Sequence, residues 1–335
     1  MKILFGKYKN CYKANLHCHS TYSDGTKTPE ELKEAYKSRG YSVIAYTDHE
    51  HIIAHPELCD SGFVAISACE LAIKEFPEES TLVNKTMKVT HINLYAKEID
   101  NTVTPCYSTV QDHFKREMLQ HLIRKDGEYS RKYSPECINE MIRIAHSRGF
   151  LVSYNHANWS LETAEDYLKY DGFDFVEIYN HGCVVDGYQD DEHVYSDMLM
   201  QGKRVMPTAT DDNHNRRDIF DPTGDSFGGF VMINADTLDY GSIIEALERG
   251  EFYASTGAYI YSITRDGDTV TVKASPSSKI VLRYSHRIIK AVYDPDGNMT
   301  EATFTLPRAD MDFRITVHGR NGEKAYSQYY RSHEA

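Results

Sequence analysis

The chain has 335 residues, 41% of them hydrophobic and 26% charged, enough for one large domain or two smaller ones with a real core. Its formal net charge of −13, with histidines neutral, excludes broad binding to nucleic acid or to an anionic membrane, which needs a basic face. The acid excess fits a solvated surface, carboxylates neutralised by metal cations, or both.

The chain opens with MKILFGKYKNCYKANLHCH. Only the short run ILF is apolar before charges return, so no signal peptide is expected. Nowhere does an apolar stretch approach the roughly 20 residues of a membrane span. The seven cysteines form no CxxC pair and are odd in number, which fits reduced thiols in a cytoplasmic protein.

In chain order, NLHCH (15–19) reads as a strand. TPEELKEAYKSRG (28–40) reads as a helix capped by Thr28, with Pro29 in the first helical position and acids in the first turn. SVIAYTDH (42–49), FVAISACEL (63–71) and MKVTHINLYA (87–96) read as strands. SPECINEMIRIAHSRG (134–149) is a helix with a Ser cap and a terminal Gly. FLVSYNH (150–156), DFVEIYN (174–180) and RVMPTAT (204–210) are further strands, separated by helical segments at 161–170 and 187–201. GGFVMINA (228–235) and GSIIEALERG (241–250) complete the pattern. This alternation implies a parallel sheet covered by helices, and so many units favour a closed barrel over an open sheet. From residue 258 the pattern changes to period two, with turns at DGD, SPSS, DPDGN and GRNGE. The expected organisation is an α/β domain over 1–257 and a small antiparallel β domain over 258–335.

Residues two apart in a strand share a face, so His17 and His19 present two imidazoles side by side, with Asp24 in the following loop. The later strands end alike: Asp48 and His49, Glu70, His91, His156, then Asp212 and His214. In a parallel barrel the C-terminal strand ends meet on one rim, so these residues should converge. Imidazole and carboxylate donors without thiolate suit Zn, Mn or Fe(II), and a mixed site keeps open positions for water. The set is too large for one ion and suits two or three. A histidine taken alone is more often a core or surface residue, and the chain has 16. His113, His121, His146 and His193, in helical segments, and His286, His318 and His333, in the β region, are read that way. His51 and His55 stand behind the rim at best.

HCHSTYSDG, YTDH, the Glu of SACE, the His of YNHANW and the final DDNH together resemble the PHP (polymerase and histidinol phosphatase) superfamily over roughly residues 11–257. The resemblance implies a distorted (β/α)7 barrel, two or three divalent metal ions, and hydrolysis of phosphate esters by a metal-bridging hydroxide. It implies one metal on His17, His19, Glu70 and Asp212, a second on Glu70, His91 and His156, and a third on Asp24, His49 and His214. Glu70 then bridges two ions, and Glu70, Asp212 and His214 carry the catalytic part. EALERGEFYASTG resembles a branch with an appended β domain, which includes phosphoesterases and a hydrolase of carbamate esters. Ala157 stands where the commoner pattern has proline after the histidine. Three functions follow: a phosphoesterase of small metabolites or nucleotides, a hydrolase of carbamate or carboxyl esters on the same metals, or a non-catalytic metal-binding protein.

An anionic, phosphorylated substrate calls for a guanidinium. Arg216 and Arg217 follow DDNH directly, with Arg116 and Arg131 in the 97–133 insertion next in line. Asn155 and His181 are further candidate substrate contacts. Cys18 and Cys69 flank ligands but should point away as small buried hydrophobes.

Overall fold

The computed structural model describes residues 1–110, 117, 120, 123 and 127–332. His113, Arg116, His121 and His333 lie outside the described residues.

A short strand β1 (Lys2–Phe5) precedes the first long one, β2 (Asn10–Cys18). The helix α1 (Pro29–Ser38) starts where local chemistry dictates. The Thr28 side chain accepts from the Glu31 N–H while the Glu31 carboxylate accepts from the Thr28 N–H, and Pro29 occupies the first turn. Its buried face is Leu32, Ala35 and Tyr36. The strands β3 (Tyr41–Tyr46), β4 (Val64–Lys74) and β5 (Val89–Ala96) follow. Then come α2 (Pro135–Ser147), β6 (Phe150–Tyr154), α3 (Ala164–Tyr167) and β7 (Phe175–Asn180). Next are α4 (His181–Val185), α5 (Glu192–Met200), β8 (Met206–Thr210), β9 (Phe230–Ala235), α6 (Tyr240–Glu248) and β10 (Phe252–Ser255).

The strands β2 to β8 lie in sequence order, and the chain ends of β8 and β2 meet: Cys18 bridges Asn213, the His19 N–H donates to Asn213 O, and the Asp212 N–H donates to His17 O. Regular strand–helix alternation is not what connects them. A single 3-10 turn, Pro56–Leu58, stands between β3 and β4. More importantly, β5 runs antiparallel to both β4 and β6. His91 is therefore near the start of its strand, not its C-terminal end, and still faces the rim because the strand is reversed. Glu70 also departs from the expected position. It is inside β4, which continues past the rim to Lys74 to pair with β5.

The remaining strands are β11 (Ile260–Asp266), β12 (Thr269–Tyr284), β13 (Ile288–Tyr293), β14 (Met299–Thr305), β15 (Phe313–Gly319) and β16 (Lys324–Tyr326). All their mutual pairings are antiparallel. SPSS is not a turn. β12 runs through it as one strand with register shifts on either side of Ser277, and so changes partners from β11 and β14 to β13 and β15. The first strand joins this region: β1 pairs with β11, and Phe5 is buried in a core with Tyr253, Ile263, Val272 and Phe313. None of the described helices is long and apolar enough to cross a membrane.

Candidate metal centre

The donor side chains come together in three linked groups: His19, Asp24, His49 and His214; His17, His19, Glu70 and Asp212; and Glu70, His91 and His156. Within each group the donor atoms lie within 4.8 Å of one another. Oε1 of Glu70 is 3.3 Å from His17 Nε2, 3.0 Å from His91 Nδ1 and 3.3 Å from His156 Nε2. Its Oε2 is 3.3 Å from both His19 Nε2 and His49 Nδ1. Asp24 Oδ2 is 3.2 Å from His214 Nε2. Asp48, by contrast, is turned away: its carboxylate accepts from the N–H and hydroxyl of both Ser20 and Ser23, shaping the loop that carries Asp24.

Two observations fit this centre to divalent ions. Asp212 Oδ1 is buried and has no hydrogen-bond partner among the described residues, yet lies 3.1 Å from His17 Nε2 and 3.0 Å from His19 Nε2. An unsatisfied buried carboxylate oxygen is costly unless a cation takes it. The imidazoles are also held from behind. Glu177 accepts from His17 Nδ1 at 2.7 Å, and Asp212 O accepts from His214 Nδ1 at 3.0 Å. Such outer partners fix the tautomer and leave Nε2 as a lone pair facing inward.

Backbone geometry contributes as well. His156 has φ +24° and Asp212 φ +52°, a region that non-glycine residues rarely adopt. Strain of this kind collects at functional sites, where surrounding bonds hold it. Around Asp212 those bonds come from Asp211, whose buried carboxylate accepts from the N–H groups of Phe227, Gly228 and Gly229 and from Tyr36 OH.

The electrostatics follow from burial competing with close opposite charge. Burial alone would lower the histidine pKa values. For His17 the carboxylates of Asp212, Glu70 and Glu177 override it and push the ring well up, and Asp212 and Glu70 push His19 up to about 10. Burial would raise the carboxyls of Glu70 and Asp212, but the imidazoles hold both well below the usual range. For His49, burial wins, helped by His19, and its pKa falls well below normal.

A cavity of about 310 Å³ opens over the donors, lined by Asp24, Glu70, Asp212 and His214 together with Trp159, Cys183, Val185, Arg216 and Arg217. Burial pushes the Cys183 thiol far up, with Asp212 and Glu177 adding to it, so it stays protonated. Cys18 and Cys69 are fully buried, as small hydrophobes are. No described residue beyond 257 lines this cavity.

The arginines divide. Arg216 is at the mouth, 75% exposed, with Nη2 3.9 Å from Asp24 Oδ2. The Arg217 guanidinium donates to Thr223 Oγ1 at 2.6 Å. Arg131 is no substrate contact. It is buried, its guanidinium paired with the Glu50 carboxylate at 2.7 Å and donating to the carbonyls of Ala72 and Cys106. Asn155 and His181 also differ from expectation. Asn155 is fully buried and donates to Glu70 Oε1 at 2.9 Å, so it orients a donor rather than meeting substrate. The His181 ring turns aside to Tyr179 OH, 3.0 Å away, and rests on Gly228, where even a Cβ would come within 2.1 Å of Nδ1. Glu177 is the functional residue that the sequence reading missed. Its only signal was a lone acid inside the apolar strand DFVEIYN.

The family model of the PHP domain matches residues 15–178. No curated protein matches the sequence. Among solved structures, the chain is similar to a two-domain protein from Bacteroides vulgatus described as containing a PHP-like metal-dependent phosphoesterase, at 13% identity, 98% coverage of both chains and a TM-score of 0.47. It is also similar to a protein from Bifidobacterium adolescentis described as a candidate metal-dependent phosphoesterase, at 15% identity and a TM-score of 0.35, covering 60% of this chain and 87% of that one. A third is an amidohydrolase from Chromobacterium violaceum with bound sulfate, at 13% identity and a TM-score of 0.34, with the same coverage.

Proposed function

We propose, from the PHP-domain family model that matches residues 15–178, that the chain is a metal-dependent phosphoesterase acting on small phosphorylated metabolites or nucleotides. The observation that carries the reading is the run of three donor groups linked through His19 and Glu70 beneath one cavity. In this reading the wall of β2 to β8 is a distorted (β/α)7 barrel, supported by the bridge between Cys18 and Asn213.

His17, His19, Glu70 and Asp212 would hold one ion, Glu70, His91 and His156 a second, and Asp24, His49 and His214 a third. Zn, Mn and Fe(II) all suit such donors. When bound, divalent ions supply Lewis-acid polarisation of the phosphoryl oxygens and a nucleophile from water at neutral pH. The protein's part is positioning. Glu177 keeps the proton of His17 on Nδ1, and the Asn155 amide fixes the Glu70 carboxylate on which two groups depend. Arg216 stands at the mouth, where a guanidinium can grip a phosphoryl oxygen pair. The size of the cavity suits a small molecule, and the acidic chain disfavours a nucleic-acid polymer.

The test is a substrate panel on protein loaded separately with Mn, Zn and Fe(II): phosphate monoesters, phosphodiesters, carboxyl esters and carbamates. Phosphate release that disappears in Glu70→Ala is the expected result. Cleavage of carboxyl esters or carbamates alone would replace the reading with an esterase on the same centre. A full metal load without turnover of any substrate would leave a metal-binding protein.

A further inference from the structure

The cavity over the donors is not polar all round. Two large apolar side chains left open to solvent, Trp159 at 36% and Val185 at 40%, both line it. Trp159 is the single tryptophan of the chain. Its ring centroid lies 5.1 Å from that of His91 and 5.0 Å from that of His156, so the indole leans on two donor imidazoles and shows its remaining surface to the cavity. The turn that carries it is pinned. The Asn158 N–H donates to Asp191 Oδ1, the Ser160 N–H to His156 O and the Leu161 N–H to Asn158 O. Val185 closes α4 beyond Gly182 and Cys183, which line the same cavity.

A pinned indole left partly exposed beside a charged centre keeps apolar surface in water, which a purely polar substrate would not cover favourably and an apolar group would. An aromatic face and an aliphatic side chain bordering one cavity suit a flat apolar group, and rigid aromatics are effective anchors because little entropy is lost on binding. The opposite requirement, for negative charge, is met by Arg216 and by the cations that the donor groups of the same cavity would hold.

We propose that Trp159 and Val185 form an apolar subsite that takes a planar, aromatic portion of the substrate while its anionic group lies over the donors near Arg216. The identity of the anionic group rests on the phosphoesterase reading. The subsite rests on the cavity wall alone.

The experiment compares benzylphosphonate with methylphosphonate, which present the same anion and undergo no hydrolysis, on the metal-loaded protein. Affinity is read by competition against a turned-over phosphate ester and by the emission of Trp159. The benzyl compound should bind about ten-fold more tightly and alone shift the emission, the scale of one aromatic contact. Trp159→Phe should keep most of this preference and Trp159→Ala should erase it. Because Trp159 leans on His91 and His156, Val185→Ser is measured alongside, with metal content determined in each variant; it should shrink the preference at full metal load. Equal affinity for the two phosphonates, or a preference that survives Trp159→Ala, overturns the subsite and leaves the phosphoesterase reading standing. If neither phosphonate binds, that reading fails instead, and the subsite is judged on benzyl and ethyl acetates. Benzyl preference lost in Trp159→Ala then upholds it, and equal turnover overturns it.

Discussion

Nδ1 of His17 stands 2.7 Å from Oε1 of Glu177, and both side chains are sealed from solvent. The same carboxylate accepts from Thr210 Oγ1 and from the His156 N–H, so it ties three strands to the back of the centre. Replacing its charge while keeping its shape isolates the effect on the imidazole. Glu177→Gln should weaken metal affinity about 10- to 100-fold, read by competition with a chelator. Unchanged affinity would reduce Glu177 to a packing residue.

Glu70 is the one carboxylate that stands in two of the three donor groups, and His19 the one imidazole. Glu70→Ala should therefore lower the metal content per chain more than His91→Ala or His214→Ala does, measured by elemental analysis. Stripping the parent with a chelator should lower its melting temperature, and metal should restore it, because ions bind the folded centre and not the dispersed ligands. A Glu70→Ala protein with full metal content would remove the bridging role.

The two arginines that follow DDNH should behave differently. Losing a hydrogen bond to a charged group costs about 1.5–3 kcal/mol, which corresponds to roughly a ten- to hundred-fold fall in kcat/KM. Arg216→Ala should show a loss of that order with phosphate esters at constant metal content. Arg217→Ala should show less, since its guanidinium already serves Thr223. Equal kinetics for Arg216→Ala and the parent would place the anion grip elsewhere.

Arg131 is a structural charge. Removing one partner of a buried ion pair leaves the other uncompensated and costs about 3–5 kcal/mol. Arg131→Met should destabilise by that amount in denaturant unfolding, because Glu50 would stay buried beside His49 with its carboxylate unmatched. A change below about 1 kcal/mol, typical of an exposed pair, would contradict the burial.

Burial pushes the Asp191 carboxyl from 3.8 up to about 7 despite His156 and the Asn158 N–H favouring its charge. A carboxyl raised in the folded state stabilises that state fully below its unfolded pKa, and the contribution is lost as pH rises through the folded value. Asp191→Asn should therefore melt higher than the parent above pH 7 and lose this advantage as pH falls toward 4. A pH-independent difference in melting temperature would show that Asp191 titrates normally.

What could be read in advance, and what could not, has physical reasons. The His17–Cys18–His19 alternation on a strand is a local pattern, as are the Thr28 cap and the Asp212/His214 pair, so the residue types of the centre stand out in one dimension. The direction of β5 is not local. MKVTHINLYA has the same composition whichever way the strand runs, and only the neighbours β4 and β6 decide it. Partner choice was hidden for the same reason. Arg131 meets Glu50 across 81 positions, and Glu177 meets His17 across 160. Asn155 and His181 misled because nearness to a donor in sequence says nothing about which side of the strand the side chain takes. SPSS looked like a turn because its composition is that of a turn, but four strands flank β12 and carry it straight through.

The pairing of β1 with β11 governs how the polypeptide has to be made and cut. Ile3 sits opposite Thr264, about 260 residues later, so during synthesis the first strand to emerge waits for the eleventh of sixteen to complete its ladder. Meanwhile Phe5 and an open strand edge stay uncovered. A fragment ending at residue 257 inherits the same exposure permanently: β1 loses β11, β10 loses β16, and Tyr253 loses most of its core. Open apolar edges of that kind pair with other chains, so the metal-binding portion expressed by itself is expected to aggregate, and the full chain is the smallest unit worth purifying.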